Sequence, residues 1–131
     1  MTVIDTRTST DRAVSAGTHA AREWTAAAAI DTLVPGRGVA VLLRGGVQAA
    51  LFVLPGGDVY AVGNIDPFGR AAVMSRGLVG DRAGEPTVAS PLLKQVFSLV
   101  DGRCLDDESV GLGSFETKVV DGVIFVRGAT T

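Results

Sequence analysis

Imidazoles, thiols and clustered carboxylates carry most protein chemistry, and this sequence is sparing with all three. His19 is the only histidine and stands in a polar stretch, residues 1–21, where no packed shell would fix it as a base or ligand. Cys104 is the only cysteine, so one chain can build neither a disulfide nor a multi-thiolate metal site, and it is expected to pack as a small apolar residue. The densest acidic run, Asp106-Asp107-Glu108, lacks the alternate-residue spacing and central glycine of a calcium loop and reads as a solvated turn. The 17 glycines form neither a Gly-x-Gly-x-x-Gly after a strand nor a Gly-x4-Gly-Lys-Ser/Thr phosphate cradle. Asp66, followed by Pro67, suits turn chemistry. The expectation is a chain with no catalytic residue and no metal or cofactor ligand of its own, serving a partner protein.

The elements around these residues are short and β-like. A length of 131 residues, 47% of them hydrophobic and 20% charged, suits one globular domain. A net charge of −2, with arginines scattered singly, argues against nucleic acid. Apolar runs such as Val39–Leu43 and Ala49–Leu54 are far shorter than the roughly 20 residues of a membrane span. The N-terminus lacks the apolar stretch of a secretion signal, so a cytoplasmic location is expected. Residues 1–21 hold few large apolar side chains and read as a flexible tail, and Trp24 opens the folded part. Alanines make Thr25–Leu33 a candidate for a short helix. Beyond it, strands are predicted at Val39–Arg44, Val47–Leu54, Val59–Val62, Leu78–Arg82, Thr87–Ser90, Gln95–Val100, Phe115–Val120 and Val123–Arg127. Gly45-Gly46 and Asp121-Gly122 read as two-residue hairpin turns, and the spacing implies a sandwich or small barrel.

Two segments carry a family resemblance. Asn64-Ile65-Asp66-Pro67-Phe68-Gly69-Arg70-Ala71 resembles the first ligand loop of Rieske iron–sulfur domains, Asn-x-Cys-Pro-His-x-Gly-Ala, with Asp66 in the cysteine position and Phe68 in the histidine position. Ser90-Pro91-Leu92-Leu93-Lys94-Gln95-Val96-Phe97, continuing to Gly102, resembles the second, Cys-Pro-x-His-Gly-x-x-Phe-Asp-x-x-x-Gly, with Ser90 and Leu93 in the ligand positions. A Rieske centre takes two thiolates and two imidazoles, and this chain supplies none of the four.

The resemblance covers roughly residues 22–128 and implies a mostly β, Rieske-like fold over 22–131. That fold is a small antiparallel β-sandwich or barrel with an inserted ligand-loop subdomain that binds no cluster. Rieske-like domains stripped in this way resemble the small subunits of cytoplasmic, NAD(P)H-dependent assimilatory nitrite reductases. The resemblance therefore implies an accessory subunit of an enzyme reducing nitrite to ammonium. FAD, siroheme and an iron–sulfur cluster are then expected on a large-subunit partner, and none on this chain. Ile65, Pro67, Phe68, Pro91, Leu92 and Leu93 would form an apolar tip suited to a partner interface. On packing grounds Phe68 and Leu93 equally suit filling the space of the missing cluster. The alternative function is a ligandless regulatory or scaffold subunit of another oxidoreductase such as an oxygenase.

Overall fold

The computed structural model describes residues 23–128. The expected tail at 1–21, with His19, and the ends of the expected domain at 22 and 129–131 lie outside the described residues. The strands in chain order are β1 (Trp24–Ala29), β2 (Gly38–Leu42), β3 (Gln48–Val53), β4 (Val59–Gly63), β5 (Ile65–Asp66), β6 (Ala71–Ala72), β7 (Leu78–Arg82), β8 (Glu85–Ala89), β9 (Val96–Ser98), β10 (Ser114–Val120) and β11 (Val123–Arg127).

Six of them form an antiparallel sheet in the order β1-β11-β10-β4-β3-β2. The sheet curls until its edges approach. The Arg44 N–H, just past β2, donates to Thr25 Oγ1 of β1 at 3.1 Å, and the Arg44 guanidinium lies 3.5 Å from the Glu23 carboxylate. The result is a nearly closed barrel with an inserted subdomain between β4 and β10, which holds the β5-β6 pair and the three-stranded sheet β7-β8-β9.

The helix expected over Thr25–Leu33 is instead β1 followed by one 3-10 turn at Ile30–Thr32. Alanine favours helix by only a few tenths of a kcal/mol over most residues, and nine residues are too few for a helix to stand alone. Pairing with β11 satisfies the backbone and packs Ala27 and Ala28 against the core, so tertiary contacts decide the conformation. The first rung sets Trp24 opposite Arg127, and the indole is flanked by Lys118 Nζ at 4.3 Å and the Arg127 guanidinium at 4.5 Å from the ring centroid.

The β2–β3 connection also differs from expectation. Leu43 pairs with Val47 through a 2.8 Å bond, leaving a three-residue loop, Arg44-Gly45-Gly46, rather than a two-residue turn. Gly45, at the third position of the Leu43–Gly46 turn, has φ of +92°, as a type II turn requires of glycine, and Gly46 follows at +88°. At Asp121-Gly122 the two-residue turn is as expected, with φ of +52° and +79°.

Two apolar clusters result. One fills the barrel, from Val41, Leu43, Ala49, Leu51, Val53, Ala61, Ile124 and Val126. The other, Ala50, Phe52, Val62, Met74, Val88, Phe97, Leu99 and Cys104, joins the barrel wall to the subdomain. β3 serves both, with Ala49, Leu51 and Val53 on one face and Ala50 and Phe52 on the other. A strand buried on both faces reads as an unbroken apolar run. Cys104 is buried in the second cluster, as its apolar reading anticipated.

Candidate functional site

The chain leaves the barrel at Gly63, where a Cβ would lie 2.3 Å from the Leu112 carbonyl oxygen, so the close approach admits only glycine. Asn64 then fixes the direction of departure. Its side-chain amide donates to Gln48 Oε1 at 3.0 Å, its Oδ1 accepts the Ser75 N–H at 2.8 Å, and its carbonyl accepts the Met74 N–H at 3.0 Å. This buried residue ties the first loop to β3 and to the 3-10 turn Met74–Arg76.

Asp66, wholly buried, heads the loop that follows. Its Oδ1 accepts the N–H groups of Phe68 at 2.8 Å and Gly69 at 3.3 Å, and its carbonyl accepts the Arg70 N–H at 2.6 Å. The second loop repeats the plan: buried Ser90 accepts the Leu92 N–H on its Oγ at 3.2 Å and the Lys94 N–H on its carbonyl at 3.1 Å. The loops are thus twin five-residue turns, Asp66-Pro67-Phe68-Gly69-Arg70 and Ser90-Pro91-Leu92-Leu93-Lys94. In each a polar head caps the turn, proline fixes φ at the second position, and the last residue is left-handed, with φ of +57° at Arg70 and +68° at Lys94. The heads meet, since the Ser90 hydroxyl donates to Asp66 Oδ2. The tips touch as well, with Leu92 Cδ1 so near Gly69 that a Cβ there would come within 2.7 Å of it.

The four positions that resemble cluster ligands do not fit a [2Fe-2S] centre. Asp66 and Ser90 are hydrogen-bonded to each other, and Phe68 and Leu93 have no donor atom. Phe68 turns inward, half-buried on the second core cluster, with its ring 6.2 Å from that of Phe97 at 46°. Among the described residues, no three His, Cys, Asp or Glu side chains come together as a metal site.

Of the six residues expected at an apolar tip, four are exposed: Ile65 at 54%, Leu92 at 46%, Leu93 at 55%, and Pro91. Pro67 and Phe68 are half-buried. Packing and exposure therefore fall to different residues, Phe68 beneath and the leucines above. Sequence reasoning missed Arg70 and Lys94, both exposed and both standing where the two motifs carry glycine. It also missed Asn64 as a brace. At the root of the first loop, Val47, Gln48, Asn64, Ile65, Leu112 and Phe115 line an open depression of about 410 Å³ with no charged group.

The charged side chains away from the tips act as scaffolding. Arg103 reaches Glu85 at 2.9 Å and Asp101 at 2.8 Å, and the Ser98 hydroxyl donates to Glu85 at 2.6 Å. The Ser98 bond, and then Arg103, hold the Glu85 carboxyl below its ordinary value, while the Arg103 backbone N–H does most to lower Asp101. In the acidic run, Asp107 accepts the Ser109 hydroxyl and N–H, which lower its pKa, and Asp106 pairs with Arg82 at 3.2 Å. The run is a closed turn, as its sequence suggested.

The profile of the Rieske-like [2Fe-2S] domain matches residues 23–127. The NADH nitrite reductase small subunit of Salmonella typhimurium is 46% identical over 107 residues, which are 81% of this chain and 98% of that one. The crystal structure of a Mycobacterium tuberculosis protein assigned as an NADH-dependent nitrite reductase small subunit superposes with a TM-score of 0.81 at 54% identity, covering 84% of this chain and 98% of that one. The NAD(P)H nitrite reductase large subunit of Klebsiella oxytoca contains a stretch 41% identical over 105 residues, 80% of this chain but 11% of that protein.

Proposed function

The chain belongs to the Rieske-like [2Fe-2S] domain family, among the nitrite reductase small subunits, and from that footing we propose that it is the accessory subunit of an NAD(P)H-dependent nitrite reductase in nitrate assimilation. On this reading the large subunit carries FAD, siroheme and an iron–sulfur cluster and reduces nitrite to ammonium in the cytoplasm. This chain contributes no redox group and docks through its loop tips. The observation that carries the reading is the Klebsiella oxytoca large subunit, in which a stretch resembling this chain is part of the same polypeptide. A domain joined to its partner in one organism and separate in another is expected to keep the contact. Similarity over 98% of a nitrite reductase small subunit favours this reading over an oxygenase scaffold.

The test is co-expression with the large subunit encoded in the same genome, followed by copurification. Wild-type chain is expected to copurify. Leu93→Asp, at an exposed site, is expected to fold normally and lose association, whereas Phe68→Asp is expected to lose stability as well because Phe68 packs on Phe97. Failure of the wild-type chain to associate would overturn the reading. Copurification unaffected by Leu93→Asp would remove the tips from the interface. Anaerobically purified chain is expected to be colourless, and stoichiometric iron and sulfide would overturn the cofactor assignment.

A further inference from the structure

Arg70 and Lys94 occupy equivalent places in the twin turns. Each is the fifth residue, each donates its N–H to the carbonyl of the capping residue, and each lies in left-handed backbone. Glycine takes that conformation without a Cβ penalty, and the Rieske motifs carry glycine at both places. Here a long cationic side chain replaces it twice, against the local conformational preference. No intramolecular gain offsets this, because neither side chain makes an ion pair or side-chain hydrogen bond with another described residue. Strain held at an exposed loop points to a use outside the fold.

The surroundings indicate what that use is. The only carboxylate within the two turns, Asp66, is buried and bonded to the other turn, so the exposed tip is apolar with positive charge alone. The whole chain nevertheless carries a net charge of −2. Leu92 and Leu93 are the exposed apolar residues of the tips, where Leu92 meets Gly69 of the other turn, and Arg70 and Lys94 close the two turns, one in each. An apolar centre within a charged rim is the arrangement of a protein contact, in which the rim sets orientation and encounter rate.

We propose that Arg70 and Lys94 are cationic contacts that seat the loop tips in an apolar recess edged by carboxylates on the nitrite reductase large subunit. The proposal rests on the docking reading given above and names the chemistry of the surface that receives it. Because glycine suits both backbones, replacing the two cations with it separates folding from docking. The Arg70→Gly/Lys94→Gly variant is expected to unfold at a higher temperature than wild type and to bind more weakly. Arg70→Gln/Lys94→Gln keeps the backbone cost and removes only the charges.

The experiment titrates purified large subunit into fluorescently labelled chain between low and high salt. Wild-type affinity is expected to fall as salt rises. Both double variants are expected to bind about tenfold more weakly at low salt, with a flattened salt dependence, while Arg70→Lys/Lys94→Arg retains binding. Wild-type affinity in both charge-removed variants, alongside weakened binding by Leu93→Asp, would overturn the cationic contacts and leave the docking tip standing. Unchanged binding by Leu93→Asp as well would overturn both. Concentration-dependent dimerisation of the chain alone, lost in the charge-removed variants, would assign the patch to a second copy and likewise overturn the proposal.

Discussion

Asp66 and Ser90 stand where the motif places its two thiolates, and their side chains hold together what a metal would otherwise hold. Asp66 accepts the Ser90 hydroxyl and two backbone N–H groups while wholly buried, so removing it strands three donors. Asp66→Ala is expected to cost about 3 kcal/mol in urea unfolding, and Ser90→Ala about 1 to 2 kcal/mol. Because they share one bond, the double variant is expected to cost at least about 1 kcal/mol less than the sum. Strict additivity would show that the bond links nothing. Arg70→Gly and Lys94→Gly are expected to stabilise the chain by about 1 kcal/mol each, the penalty of a left-handed residue that bears a Cβ. Residue identities exposed the missing ligands directly, since neither phenyl nor isobutyl groups bind iron. They did not expose the bond between positions 66 and 90, which depends on two turns meeting in space.

Among the elements, legibility followed length and local chemistry. β7 and β11 begin and end where they were expected, and each borders a two-residue turn with glycine second. β5 and β6, two residues each, are too short for any period to register. β1 was hidden because alanine says little about strand or helix and its partner, β11, lies about a hundred residues away in sequence. The inserted subdomain also carries a clasp that sequence concealed, in which Arg103 bridges Glu85 of β8 and Asp101. Both carboxyls titrate below their ordinary values of 4.5 and 3.8 when folded. Their contribution to stability is therefore complete above those values and is lost as pH falls through the lowered folded ones. Urea midpoints measured from pH 7 to pH 3 are expected to drop at the acid end. Arg103→Met should make that drop shallower but not flat, since the Ser98 hydroxyl and the backbone N–H at 103 remain. An identical slope in the variant would show that Arg103 does not contribute.

Across the whole molecule, a barrel supports and two turns present. From outside, the first loop is braced at Asn64 by Gln48 of β3 and by the turn at Met74–Arg76, and at Asp66 by Ser90 of the second loop. A surface held from three directions is expected to change little on docking. The barrel also brings its two ends together, since Trp24 faces Arg127 across neighbouring strands. Linking position 24 to position 127 through a short glycine-serine segment and opening the chain in the exposed Pro55-Gly56-Gly57 loop is expected to give a folded circular permutant, within about 2 kcal/mol of the original by chemical denaturation. An unfolded permutant would show that the β1–β11 pairing depends on the original order of the chain. The same rung bears on how such a domain changes hosts. A module whose inlet and outlet share one doorstep can be set into the loop of another protein, or released from it, without threading either chain through the other. Whether it travels as a separate subunit or as one stretch of a longer polypeptide is then a matter of where genes are cut, and the fold is indifferent to the choice.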